Sequence, residues 1–479
     1  MKQIKLTESK NGSELLLETL ASLGIDTVFG YPGGAVLPLY DAIYQFDGVR
    51  HILARHEQGA LHEAEGYAKS TGKIGVAIVT SGPGATNAIT GIADGMSDSV
   101  PMLVFTGQVA RSGIGKDAFQ EADIIGITMP ITKYNYQIRD VADIPRIITE
   151  AVHIATTGRP GPIVIDLPKD VSEMKTSFYY DPEVTLPSYQ PTIEPNALQV
   201  KKILTQLKKA KKPLIVAGGG VNYANAAEEL QAFAERYNIP VVSTLLSLGV
   251  MPIEHPLSLG MGGMHGSYAS NMALMECDFM INFGCRFADR LTGNPDTFAA
   301  DAVVAHVDID PAEIGKVVKT KIPIVGDAKA ALQILLEAEP VKTRHEDWTD
   351  SVLANKAKAP FSYKFDENII KPRHGNAPIA YPQAGAAGNG CQGAGHSCLP
   401  PQYRPARPAH AAGRPRRVEA HRPQRLGVQP EPRLPFLSRE THALLCEIRY
   451  PPFARRHHHH SRRLGGGALC FHVVPQSRR

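Results

Sequence analysis

Three short segments near the start of the chain hold the residue types that chemistry needs. Glu57 stands in Arg55-His56-Glu57-Gln58-Gly59-Ala60, at the junction of a short apolar run and a helical pattern. At the carboxyl end of a parallel strand such a carboxylate faces the crevice where ligands bind, and there it can hold or move a proton. The same residue also suits a helix first turn, where the macrodipole favours negative charge. Before it, Gly30-Tyr31-Pro32-Gly33-Gly34-Ala35 permits a tight turn and close approach of a ligand to the backbone. After it, Thr80-Ser81-Gly82-Pro83-Gly84-Ala85-Thr86-Asn87 reads as a strand ending in a small-residue loop before a helix.

A second series starts at Leu214-Ile215-Val216-Ala217-Gly218-Gly219-Gly220-Val221, a strand running into glycines that suits a dinucleotide phosphate near the backbone. It continues through Gly263-Met264-His265-Gly266, Gly284-Cys285-Arg286-Phe287-Ala288-Asp289-Arg290, Val307-Asp308-Ile309-Asp310 and Gly326-Asp327-Ala328-Lys329. Arg286 and Arg290 can pair a pyrophosphate, and Asp308 or Asp327 can accept from ribose or adenine. Each of these also reads singly as a surface ion pair.

The elements that must position them alternate. A helical pattern from Ser13 (Leu16, Leu17, Leu20, Leu23) ends at Gly24, and the apolar run Asp26-Thr27-Val28-Phe29 leads into the first glycine turn. Strand-like runs follow at 51–54, 74–80, 102–106 and 163–166, spaced widely enough for helices between them. Beyond a stretch rich in Pro, Tyr and Ser, further runs lie at 213–217, 240–243, 278–283, 302–307 and 322–325, with a last helix at 327–337. This alternation predicts an α/β protein of two doubly wound parallel-sheet domains. Their limits are read as 1–174 and 196–341, with linkers at 175–195 and 342–372.

Composition changes abruptly after Pro372. Apolar residues make up 43% and charged residues 20% of the 479, and the net charge is +4. Residues 1–372, however, carry 34 Lys and Arg against 43 Asp and Glu, a net of −9. The remaining 107 hold 17 Arg, 14 Pro and 10 His, but only four Glu and no Lys or Asp. A GC-rich coding strand read in the wrong frame, or an aberrant splice, yields such a segment. The other reading is a disordered basic arm that binds nucleic acid. Two cysteines, Cys277 and Cys285, precede Pro372, in keeping with a reducing cytosol. The polar N-terminus and the lack of an 18-residue apolar run predict a cytoplasmic protein that does not enter membranes.

Taken in this order and spacing, the first series resembles the pyrimidine-binding domain of thiamine-diphosphate enzymes, and most nearly that of the acetohydroxyacid (acetolactate) synthases. Phe119-Gln120-Glu121-Ala122-Asp123, Pro130-Ile131-Thr132-Lys133 and Asp166-Leu167-Pro168-Lys169-Asp170 extend the likeness, which covers 13–372. The second series resembles the central domain of the same family, which binds FAD. The resemblance implies that Glu57 hydrogen-bonds a ring nitrogen of the aminopyrimidine, that Thr80, Pro83 and Asn87 line that ring with Gly34 near the cofactor, and that Gln120 contacts the reacting carbon. It places Phe119 in the substrate pocket and Lys169 at its access channel. It assigns flavin contacts to Arg159, Gly218, Gly219, Gly220, Met264, His265, Gly284, Arg286, Asp289, Arg290, Asp308, Ile309, Gly326 and Asp327.

The cofactors implied are thiamine diphosphate, FAD and Mg²⁺, and the substrates pyruvate and 2-ketobutyrate. A homodimer or tetramer and a small regulatory subunit are implied as partners. Rival readings are another thiamine-FAD enzyme such as pyruvate oxidase, or a non-catalytic FAD-binding remnant. In the family a third domain holds Mg²⁺ and the diphosphate through Gly-Asp-Gly and a downstream Asn. Residues 373–479 contain no Asp, so the third domain is expected to be missing, no metal ligand is assigned, and the chain is expected to be inactive alone. The run His457–His460 is assigned no role.

Overall fold

The computed structural model describes residues 2–358. Its strands are β1 (Gln3–Asn11), β2 (Thr27–Gly30), β3 (Arg50–Leu53), β4 (Gly75–Val79), β5 (Met102–Gln108), β6 (Tyr134–Gln137), β7 (Pro162–Pro168) and β8 (Lys175–Tyr180), followed by β9 (Pro213–Ala217), β10 (Val241–Ser243), β11 (Ser258–Met261), β12 (Phe279–Phe283), β13 (Val303–Asp308) and β14 (Ile322–Val325). Two six-stranded sheets result, in the orders β3-β2-β4-β5-β7-β6 and β11-β10-β9-β12-β13-β14. All neighbours within each are parallel.

Strands buried on both faces need continuous apolar runs, and β4, β5, β7, β9 and β12 have them, every residue being buried. Helices cover both faces. In the first domain Leu16, Leu17 and Leu20 pack with Ile144 and Ile148 on one side of the sheet, while Ala60, Leu61, Ala64 and Ile92 close the other. The helix Gly12–Ser22 starts on a capping box between Asn11 and Glu14, which satisfies two otherwise orphan backbone donors. In the second domain Phe233, Phe279 and Phe283 are fully buried beneath the helices on one face.

The central reversal of strand order lies between β2 and β4 in the first sheet, which reverses again at its β7-β6 edge, and between β9 and β12 in the second. At such a switch point the loops at the strands' carboxyl ends part and leave a crevice. Both crevices fall where the sequence puts its glycine motifs.

Two readings need correction. The polar N-terminal segment forms β1, which pairs antiparallel with β8. The supposed linker therefore begins as a strand, Lys175–Tyr180, whose Thr, Phe and Tyr suit a pleated surface better than a spacer. The stretch after 341 holds a helix, Glu346–Lys358, with Trp348 and Val352 buried and the Trp348 indole donating to the Pro213 carbonyl at 3.0 Å. A single anchoring Trp gives too little apolar repeat to mark a helix by pattern. Residues 359–372, the Arg/Pro-rich segment 373–479 and His457–His460 lie outside the described residues. Among the described residues no helix is long and apolar enough to cross a membrane.

Candidate active site and nucleotide cleft

Glu57 is the first residue of the helix Glu57–Thr71, which His56 caps by accepting from the Gln58 amide. The position follows β3, at the rim of the first crevice, and the side chain is buried, 8% exposed. Its Oε2 accepts from Asn87 Nδ2 at 3.1 Å. Oε1 lies toward Gly84, where an added Cβ would stand 3.2 Å from it and 2.6 Å from Thr80 Cγ2. Gly33 faces Thr80 from the other side, 2.5 Å from a built Cβ to the Thr80 side chain, and the Ala35 amide donates to Thr80 Oγ1 at 3.3 Å. The small residues thus clear a cradle around one carboxylate oxygen. Any side chain at 33 or 84 would fill it.

The loop bearing Phe119 and Gln120 closes over this cradle. Gln120 adopts the left-handed conformation, φ 59°, and its carbonyl oxygen comes within 2.6 Å of where a Cβ on Gly82 would be. Phe119 is 87% exposed, a large aromatic ring at the mouth with nothing covering it. Glu121 folds back to accept from the Gly115 and Ala118 amides, and these bonds hold its carboxyl below the ordinary range. Pro83 begins the short helix that ends at Asn87. Gly34 is exposed with open space beside it, and Lys169 opens a short helix at the end of β7. Neither touches Glu57 or Asn87 in the hydrogen-bond network.

The second crevice is a cleft of about 740 Å³ that reaches across to the first domain. Its floor is backbone. A Cβ on Gly218 would lie inside the Gly284 carbonyl and 2.5 Å from Cys285 Cα, and one on Gly220 would lie 2.7 Å from Gly284 Cα. The Gly220 amide donates to the Gly284 carbonyl at 3.1 Å, and fully buried Asn282 holds the Cys285 amide and carbonyl at 3.0 and 2.6 Å. Burial pushes the Cys285 thiol up to about 12, so it is an inert packing group.

Of the fourteen residues assigned to a flavin, eleven line the cleft: Arg159, Gly219, Gly220, His265, Gly284, Arg286, Arg290, Asp308, Ile309, Gly326 and Asp327. Gly218 lies beneath them as the close-packing glycine. Met264 is exposed and outside the lining, and the Asp289 carboxylate, 74% exposed, turns outward to pair Arg290 at 3.0 Å. Asp327 caps the helix Ala328–Glu337 through the Ala330 amide at 3.1 Å, which commits one of its oxygens. Arg159 is a bridge between domains. Its guanidinium donates to Ser99 Oγ and the Met96 carbonyl and pairs Asp310 and Glu313 at 3.3 and 3.1 Å.

Sequence reading missed Ser99 and Asp98 from the first domain and Thr244 and Leu246 after β10, all in the cleft wall. None sits in a glycine motif. It also missed His306, fully buried on β13 with neither ring nitrogen hydrogen-bonded and Nε2 3.6 Å from Asp308 Oδ2. Among the described residues one set of metal-type ligands converges, His62, Glu65 and Asp94. It does not include Glu57, and Lys69 already neutralises Glu65 and Asp98 at 2.6 Å each.

Two catalogued domain families account for both crevices: the thiamine pyrophosphate enzyme N-terminal TPP binding domain matches residues 10–127, and the central domain of the same enzymes matches 200–335. The chain belongs to the thiamine pyrophosphate enzyme family. It is similar to the acetolactate synthase large subunit of Lactococcus lactis, 61% identical over 373 residues, which is 78% of this chain and 65% of that one. The acetolactate synthase large subunit of Corynebacterium glutamicum is 51% identical over 360 residues, 74% of this chain and 58% of that one. A probable acetolactate synthase large subunit of Methanocaldococcus jannaschii is 49% identical over 368 residues, 76% and 62% respectively. The chain therefore spans less than two thirds of the length of these relatives. The match to the N-terminal TPP binding domain spans Glu57, Asn87 and the Gly33–Thr80–Gly84 cradle of the first crevice.

Proposed function

We propose that the chain carries the pyrimidine half-site and the flavin cleft of an acetolactate synthase, which joins two pyruvates to 2-acetolactate with loss of CO₂, or pyruvate to 2-ketobutyrate, for branched-chain amino acid synthesis. The observation that supports this most is the buried Glu57–Asn87 pair at the β2/β4 switch point, with one carboxylate oxygen left toward the Gly33–Thr80–Gly84 cradle. The names of the relatives favour this reading over a pyruvate oxidase.

Bound thiamine diphosphate supplies the nucleophilic carbon that attacks the keto group and takes up the electrons released with CO₂. The residues here fit its pyrimidine. Glu57 holds a proton between Oε1 and a ring nitrogen, and Asn87 fixes the carboxylate's rotation so that Oε1 stays aimed into the cradle. Burial excludes the water that would otherwise compete for that hydrogen bond and weaken it. With the ring bound, Gln120 and Phe119 would face the substrate, and Lys169 would offer a positive charge to an entering carboxylate.

FAD fits the second crevice. Gly219, Gly220 and Gly284 keep the cleft floor free of side chains so that a pyrophosphate can approach it closely, and Arg286 and Arg290 can pair its charge. Its role is structural, because the carboligation has no net redox change. Mg²⁺ does not fit the residues around Glu57, and no step is derived through it. A homodimer or tetramer, a small regulatory subunit and a cytoplasmic location complete the proposal. Titrating the purified chain with FAD and following flavin fluorescence tests the cleft. Saturable binding that Arg286→Ala weakens about tenfold or more supports it, in line with loss of one charge-assisted contact. Absence of binding by a folded chain refutes it.

A further inference from the structure

The motif Asp166-Leu167-Pro168-Lys169-Asp170 contributes an acid that neither crevice uses. Asp166 lies in the C-terminal half of β7 and is completely buried. Its Oδ1 accepts from Thr106 Oγ1 at 2.9 Å, and its Oδ2 accepts from Gln108 Nε2 at 3.2 Å and Gln137 Nε2 at 3.1 Å. All three donors are neutral, so burial dominates and pushes the carboxyl up to about 6, with the Asp123 charge adding to the rise. A carboxylate retained at that cost needs a purpose beyond packing.

Gln108 points to one. Nearly buried itself, it spends its second amide hydrogen on the Ala122 carbonyl at 3.1 Å, while its Oε1 accepts from the Val109 amide at 2.8 Å. Ala122 is two residues past Gln120, the left-handed residue whose carbonyl presses on Gly82. That conformation is unfavourable for a non-glycine residue and persists only where neighbours over-determine it. A second tether acts at the loop's start, where Asp170 accepts from the Arg111 amide at 2.9 Å and Nε at 2.7 Å.

We propose that Asp166 and Gln108 are positioning residues, Asp166 fixing the Gln108 amide so that it clamps Ala122 and holds Gln120 over the cradle beside Glu57. The inference rests on the proposed function only for what Gln120 does; the clamp itself concerns the loop and is tested without any cofactor. Gln108 can serve both Ala122 and Asp166 in one orientation only. An apolar side chain at 166 would take away the acceptor of the Gln108 amide, free its head group to turn and release Ala122.

Amide exchange of the full chain, read by mass spectrometry on peptides from 111–123 and from β4, tests this. Asp166→Leu and Gln108→Met should each raise exchange across 111–123 about tenfold while β4 changes little, the loss of a buried hydrogen bond. Thr106→Val removes a different partner of Asp166 and should leave the loop protected. In the double variant Asp166→Asn with Gln108→Glu, the new amide at 166 donates to the new carboxylate at 108, but nothing donates to Ala122. Its loop should stay fast although the strand ends are again paired. A double variant whose loop returns to wild-type protection would overturn the clamp. So would Gln108→Met leaving the loop as protected as in the wild type, which decides the matter even if Asp166→Leu does not fold.

Discussion

Replacing Gly218 by Ala tests the geometry of the flavin cleft. The glycine sits where β9 and β12 come together at the switch point, its amide donating to the Phe283 carbonyl at 2.9 Å. Every atom that an added methyl would meet is backbone: the Gly284 carbonyl and its carbon, and Cys285 Cα, the latter two at 2.5 Å. Ordinary contact needs about 3.4 Å or more, so two central strand ends must part by about 1 Å. Overpacking against backbone costs about 3 kcal/mol, since no flexible side chain can yield. The neighbouring glycine is the control. A Cβ on Gly219 would first meet Leu246 Cβ at 3.1 Å, a contact relieved by a shift of a few tenths of an ångström, and the cost there should be smaller, about 1 kcal/mol. Urea unfolding of both variants, read with FAD titration, should find Gly218→Ala about 3 kcal/mol less stable and deficient in flavin binding, with Gly219→Ala closer to the parent. Equal stabilities and equal affinities would show that the glycine floor is not what shapes the cleft.

Other expectations follow from the same distances. Asn87→Ala leaves Glu57 Oε2 buried without its donor and should cost about 1–3 kcal/mol by denaturant titration, whereas the exposed Asp289→Ala should cost little. Because burial raises the folded-state pKa of Asp166 from 3.8 to about 6, the folded state binds more protons than the unfolded one between those values. Stability should therefore fall as pH rises from about 4 to 6, by up to roughly 3 kcal/mol from this group, and Asp166→Asn should flatten that slope in pH-dependent unfolding. Arg159→Met removes the bridge to Asp310 and Glu313, so differential scanning calorimetry should find the melting of the two domains less tightly coupled than in the parent.

Much of this was legible in the sequence because glycines and strand-end polar residues announce themselves. Gly33, Thr80, Gly84 and Glu57 come from segments far apart in the chain, yet each follows an apolar run, and parallel topology carries such positions to one edge. Gly218, Gly284 and Asp308 are found by the same logic. What stayed hidden depends on packing between elements. Ser99 enters the cleft only because the two domains abut, and no pattern within the helix Ile89–Asp98 marks it. Asp327 looked free to bind a ribose, but a residue before a helix is often spent on its cap. Met264 and Asp289 share motifs with real cleft residues, and only the backbone path decides which members of a motif turn inward. The strand Lys175–Tyr180 was concealed by Ser and Tyr, which suit a spacer and a pleated edge alike.

The claim at the centre of this account is that Glu57 is the proton-handling group of a thiamine site made for acetolactate synthesis. Acetolactate formation from pyruvate with thiamine diphosphate, Mg²⁺ and FAD measures it directly. The chain as written should give none, and a chimera in which the C-terminal third of an acetolactate synthase large subunit replaces residues after Pro372 should give turnover. Glu57→Gln in that chimera should lower the rate about 100-fold or more, the scale of a lost general acid–base group. Turnover by the unmodified chain, or a chimera indifferent to Glu57→Gln, would contradict the account.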